Sequence, residues 1–93
     1  MNGNGNGNKV NKRRSEMDII NEILVLSKAG VNKAKILYEC NLSYTLLQKY
    51  MSYLLTNKLL EENKDDDNLN RKFYTTTQKG IEFLQNMSYL VNK

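Results

Sequence analysis

The chain has 93 residues, one cysteine (Cys40), no histidine and a formal net charge of +4. That length fits one ordinary domain. A single cysteine excludes an intrachain disulfide and a cysteine-based zinc site, and the lack of histidine removes the usual general base and metal ligand, so no cofactor, no metal and no enzymatic activity are expected.

No apolar run approaches the ~20 residues of a membrane span and no signal peptide is visible, so a cytoplasmic protein without membrane association is expected. The charge is uneven. Residues 1–15 hold Lys9, Lys12, Arg13 and Arg14 without an acid, while the remainder holds ten Lys/Arg against ten Asp/Glu. The Asn-Gly run from Asn2 to Asn8 offers nothing apolar to bury, so residues 1–14 read as a disordered basic tail ahead of a domain over 15–93. Such an arm can enter a minor groove or track phosphates, which makes Lys12, Arg13 and Arg14 candidate DNA contacts; the alternative is a solubilising tail.

Ser15 reads as an N-cap with Asp18 three residues on, and Ile19, Ile20, Ile23, Leu24 and Leu26 follow at mostly helical spacing. Ala29-Gly30 closes this helix, Gly30 being the expected left-handed residue. Val31 can form a very short strand before Asn32 caps a second helix, about Lys33 to Cys40, with Ala34, Ile36, Leu37 and Cys40 inward. Asn41-Leu42 is a tight break, and Ser43 caps a third helix over Tyr44 to about Asn57. There Leu46, Leu47, Tyr50, Met51, Leu54 and Leu55 form an apolar stripe, and Thr45, Gln48, Lys49 and Ser52 line the opposite side.

Beyond Lys58 the period changes. Residues 59–62 and 71–75 are short enough for strands, and the polar stretch Asn63 to Asn70 reads as a long hairpin loop. Thr76 or Thr77 caps a last helix over about 78–91. Its apolar surface is wider than one packing face needs: Ile81, Leu84 and Val91 lie near one stripe, and Phe83, Met87 and Leu90 near an adjacent one. One stripe closes the core and the other can pair with a second copy, so Phe83, Met87, Leu90 and Val91 are the candidate homodimer contacts. The alternative is a wide core-facing stripe in a monomer.

The fold class is therefore α+β and mainly helical, in the order helix-helix-helix-strand-strand-helix of a winged helix-turn-helix. That order implies double-stranded DNA as partner, with helix 3 in the major groove and the hairpin beside it. The candidate contacts on the helix are Ser43, Tyr44, Thr45, Gln48, Lys49 and Ser52; Gln48 suits adenine, Lys49 phosphate or guanine, and the alternative is the solvated face of an amphipathic helix. In the wing they are Lys64, Arg71 and Lys72, with Asn68 and Asn70 as neutral donors. Asp65-Asp66-Asp67 argues the other way, since carboxylates repel the DNA backbone. As a calcium loop this run fails, because Arg71 stands where glycine is required and Thr77 where the terminal glutamate belongs.

The stretch Ile36 to Leu55, with Asn41-Leu42-Ser43-Tyr44, then Leu47, Tyr50 and Leu54-Leu55, resembles the archaeal winged-helix proteins of the ten-kilodalton chromatin type. Leu59-Leu60 and Thr77-Gln78-Lys79-Gly80-Ile81-Glu82-Phe83-Leu84 are similar to that family's strand and the start of its final helix. The resemblance covers about Arg13 to Met87. It implies a DNA-binding chromatin protein or transcription regulator, often dimeric through its last helix, with helix 3 for recognition. Three departures stand out: a last helix too short for a long coiled coil, an acidic wing, and the Asn-Gly tail. The Asn/Lys/Ile-rich composition suggests an AT-rich genome such as that of an archaeal virus or plasmid. Three readings remain open: a transcription regulator, a nonspecific chromatin protein, and a winged helix used for protein–protein contact.

Overall fold

The computed structural model describes residues 14–67 and 70–91, with the side chains of the last helix described as far as Met87. Helix α1 spans Glu16–Leu26 and starts where a reciprocal cap closes it. Ser15 Oγ accepts from the Asp18 N–H at 3.1 Å, and Asp18 Oδ2 accepts from the Ser15 N–H at 3.0 Å. Its buried face is Ile19, Ile20, Ile23 and Leu24. The α-helix stops at Leu26, three residues earlier than its sequence suggests, and tightens into a 3-10 turn over Ser27–Ala29. Gly30, at φ 86°, then turns the chain.

Val31 forms a strand of a single bridge, exchanging backbone hydrogen bonds of 3.0 and 2.7 Å with Tyr74. Asn32 caps α2 (Lys33–Glu39) by accepting from the Lys35 N–H at 2.8 Å. This helix has two turns and buries only Ile36 and the following Cys40, with Leu37 half-buried. Ala34, expected inward, is exposed: it lies two residues, or about 200°, from Ile36 around the helix.

Asn41 takes a left-handed φ of 54°, and the Leu42 N–H returns to the Leu37 carbonyl at 3.0 Å. Ser43 caps α3 (Tyr44–Thr56), accepting from the Leu46 N–H at 3.1 Å. The buried stripe is Leu47, Tyr50, Met51 and Leu54. Leu46, expected within it, stands at the edge and is exposed. The same backbone closure ends α3, with Lys58 at φ 62° and the Leu59 N–H bonded to the Leu54 carbonyl at 2.9 Å.

Strand β1 (Leu60–Lys64) pairs antiparallel with β2 (Lys72–Thr76), with Leu60 opposite Thr76 and Lys64 opposite Lys72. Strand β1 starts one residue later than the expected 59–62 and runs two residues further, because Leu59 is consumed in the closure of α3 and buried there; β2 sits one residue later than 71–75. Of the two threonines proposed as the last cap, Thr77 takes the role: its Oγ1 accepts from the Gly80 N–H at 3.0 Å and donates to the Lys58 carbonyl at 2.6 Å. Thr76 is buried instead. It ties the sheet to α1 by donating to the Leu24 carbonyl at 2.6 Å.

Helix α4 (Gln78–Val91) lies against α1. The single core draws Ile20, Ile23 and Leu24 from α1, Ile36 from α2, Leu47, Met51 and Leu54 from α3 and Leu60 and Tyr74 from the sheet. Burying each large apolar side chain stabilises by about 1.5–3 kcal/mol. No described helix is long and apolar enough to cross a membrane.

Candidate nucleic-acid interface

The face of α3 opposite its buried stripe carries Tyr44, Thr45, Gln48, Lys49 and Ser52, all exposed. Four buried side chains fix the back of this helix, so its outer side chains stand on a rigid rod. Ser43 is exposed as well, but its hydroxyl is occupied as the N-cap. Tyr44 is 65% exposed, and the exposed hydroxyls and amide of Thr45, Ser52 and Gln48 make no side-chain hydrogen bond among the described residues that would have to break before they meet a base edge.

Lys49 is held. Its ammonium donates to Glu16 Oε2 at 3.0 Å and lies 5.4 Å from the centre of the Tyr50 ring. The hydrogen bond and charge of Glu16 raise its pKa above the ordinary lysine value. Three other candidate cations, Arg14, Arg71 and Lys72, are paired in the same way. Arg14 bonds Glu22 and, through its second guanidinium nitrogen, the Asn41 carbonyl at 3.3 Å. Arg71 pairs with Asp65 at 3.6 Å and Lys72 with Glu62 at 3.6 Å. Lys64, at the end of β1, is exposed and makes no ion pair among the described residues. Lys12, Arg13 and Asn68 lie outside the described residues.

Arg14 stands beside the α2–α3 turn, where its guanidinium reaches the Asn41 carbonyl. In the wing, Asp65 is turned back onto its own hairpin: its N–H bonds the Arg71 carbonyl at 3.0 Å and its Oδ1 accepts from the Asp67 N–H at 2.9 Å. The acidic run is thus divided. Asp65 neutralises Arg71, while Asp66 and Asp67 face solvent.

Two residues escaped the sequence reading. Lys35, in the first turn of α2, lines one cleft with Arg71, Lys72 and Asp65 at the root of the wing. Glu16 reaches Lys49 across the helix pair. Neither carries a local signal, since each proximity arises only when α1 packs on α3 and Val31 pairs with Tyr74.

The candidate dimer contacts separate. Phe83 is half-buried against the core, as is Leu84. Met87 is half-buried and lines a groove between α4 and α1 with Ile81, Leu84 and Val25, the last 55% exposed. The side chains of Leu90 and Val91 lie outside those described.

Residues 13–93 match the model of the family described as winged helix-turn-helix. An uncharacterized protein of Methanocaldococcus jannaschii is 30% identical over 76 residues, covering 77% of this chain and 78% of that protein. Among solved structures, the chain is similar to Sso10a-2, a DNA-binding protein from Sulfolobus solfataricus, with a TM-score of 0.72 and 24% identity over 85% of this chain and 80% of that one. It is also similar to the adhesin competence repressor of Streptococcus pyogenes, with a TM-score of 0.68 and 14% identity over 81% of this chain. The chain spans only 56% of that repressor's length. At these identities the structural likenesses establish the fold. They agree with the resemblance to archaeal winged-helix proteins carried by residues 36–55.

Proposed function

The chain belongs to the winged helix-turn-helix family, and from that premise we propose that it binds duplex DNA, with α3 in the major groove, and regulates transcription. The observation that carries this reading is the exposed row Thr45, Gln48, Lys49 and Ser52 on a helix held from behind by buried Leu47, Tyr50, Met51 and Leu54. Small and amide side chains on a rigid helix suit base edges, and each well-formed bidentate contact discriminates by about 1–3 kcal/mol. Lys35, Arg71 and Lys72 in the cleft at the wing root and Arg14 beside the α2–α3 turn supply phosphate contacts. Lys12 and Arg13 extend this set along the tail. The protein is then associated with the nucleoid of its cell, or with DNA in its host's cytoplasm if a virus encodes it.

We further propose that the protein acts as a homodimer through the α1–α4 groove, where Val25, Ile81 and Met87 leave apolar surface open; Leu90 and Val91 continue α4 beyond it. A small core gains from such a partner. Two-fold symmetry would set two α3 helices about one turn of duplex apart, roughly 34–36 Å. Light scattering of the free protein should give twice the chain mass.

The test of the regulatory reading is competition between the DNA upstream of the protein's own gene and random duplex. A clear preference for the former supports a regulator; a ratio near one moves the chain to nonspecific coating of duplex. Protein–protein contact becomes the better reading if neither DNA binds at low salt.

A further inference from the structure

The reciprocal side-chain cap of α1 is closed by Ser15 and Asp18, without the Glu16 carboxylate. That carboxylate instead crosses to α3 and takes Lys49, the one cation in the exposed row of that helix. The Glu16 and Lys49 side chains are 72% and 57% exposed, and ion pairs in that setting contribute little to folding. The consequence of the pair therefore lies at the surface. Arg14 does not cancel the charge of Glu16, because Glu22 and the Asn41 carbonyl hold it.

We propose that Glu16 is a specificity-determining residue: it competes with the DNA backbone for the Lys49 ammonium. On random duplex the carboxylate keeps Lys49 and repels nearby phosphate, so binding is weak. On a site that α3 fits, the close approach of a phosphate or guanine displaces the carboxylate, and Lys49 adds its contact only there. This rests on the reading that α3 meets DNA, and deepens it.

The experiment measures binding of random-sequence duplex against salt concentration for the native chain, Glu16→Gln, Lys49→Ala, the double variant and Glu82→Gln. Glu82→Gln makes the same charge change at an exposed position of α4. Glu16→Gln should tighten binding up to about fivefold, the scale of an exposed ion pair. It should also steepen the logarithmic salt slope by about 0.9, one added phosphate contact. Both effects should vanish in the Lys49→Ala background and be absent from Glu82→Gln. Equal gains in Glu16→Gln and Glu82→Gln, or a gain that survives without Lys49, reduce Glu16 to bulk charge and overturn the inference. Weaker binding by Glu16→Gln also overturns it, by making the carboxylate a direct contact. If the native chain binds duplex and Glu16→Gln matches it, this inference alone fails; if the native chain binds neither random duplex nor the DNA upstream of its own gene at low salt, the DNA reading fails with it.

Discussion

A Cβ built on Gly80 would stand 2.4 Å from the carbonyl oxygen of Leu59 and 2.6 Å from Thr76 Cγ2. Gly80 is helical and has no positive φ, so room rather than conformational freedom requires glycine here. The Leu59 carbonyl cannot retreat, because it accepts from the Thr77 N–H at 3.0 Å in the cap that starts α4. Gly80→Ala should therefore force α4 off the α3–β1 connection and cost about 1–3 kcal/mol, as overpacking does. Urea unfolding should show a lower midpoint at unchanged slope.

Thr76 joins the wing to the first helix through one buried bond, its hydroxyl donating to the Leu24 carbonyl at 2.6 Å. Thr76→Val keeps the shape, removes the donor and leaves that carbonyl without it, for a loss of about 1–3 kcal/mol. Thr76→Ser keeps the donor and loses only a methyl group. If valine proves no worse than serine in denaturant titrations, packing rather than the bond holds the sheet to α1.

Lys58 occupies a left-handed φ of 62°, the residue just past the end of α3. Glycine takes that conformation without its Cβ penalty. The side chain of Lys58 is exposed and makes no ion pair among the described residues, so little is lost on removing it. Lys58→Gly should stabilise the chain by about 0.5–1 kcal/mol, raising the urea midpoint.

How much of this was legible follows the range of each signal. The helices were legible because caps and apolar spacing are local: Ser15, Asn32 and Ser43 all cap as their neighbours imply. The wing's register was not, since Glu61-Glu62-Asn63-Lys64 has no alternation to mark a strand and Leu59 belongs to the turn before it. The exposed row of α3 was readable as the complement of its apolar stripe. The partners of its charges were not, because Glu16 and Lys49 meet only through the packing of α1 on α3. Helix α4 fails for a third reason. Its apolar band is so wide that periodicity cannot say that Phe83 faces the core while Met87 lines the groove with α1.

Alkaline stability should depend on Tyr74. Burial first, and then the charge of Glu62 and its hydrogen bond, raise the Tyr74 pKa above its ordinary value. In the unfolded chain the phenol ionises near pH 10, so above that pH the folded form holds a proton the unfolded form has lost. Stability is then lost as pH rises. Lys49, whose pKa Glu16 raises, acts in the same direction from the surface. Tyr74→Phe should flatten the fall in melting temperature above pH 10, and an equally steep fall in the variant would remove Tyr74 as its cause.

The wing root and α3 should separate by the kind of affinity they supply. Lys35, Arg71 and Lys72 line one cleft, and Glu39, Asp65 and Glu62 respectively already pair with them, so phosphate must exchange for carboxylate there. Such contacts carry no sequence information. Lys35→Ala, Arg71→Ala and Lys72→Ala should each weaken target and random duplex alike and flatten the logarithmic salt slope by about 0.9. Gln48 is uncharged and points from the exposed row, so Gln48→Ala should leave the slope intact and cost about 1–3 kcal/mol on the target alone. Binding curves over a salt series distinguish these outcomes. If Gln48→Ala weakens both duplexes equally, α3 is not reading bases; if none of the three cations moves the slope, the wing root stands clear of the duplex, and the arm before Arg14 supplies the charge instead.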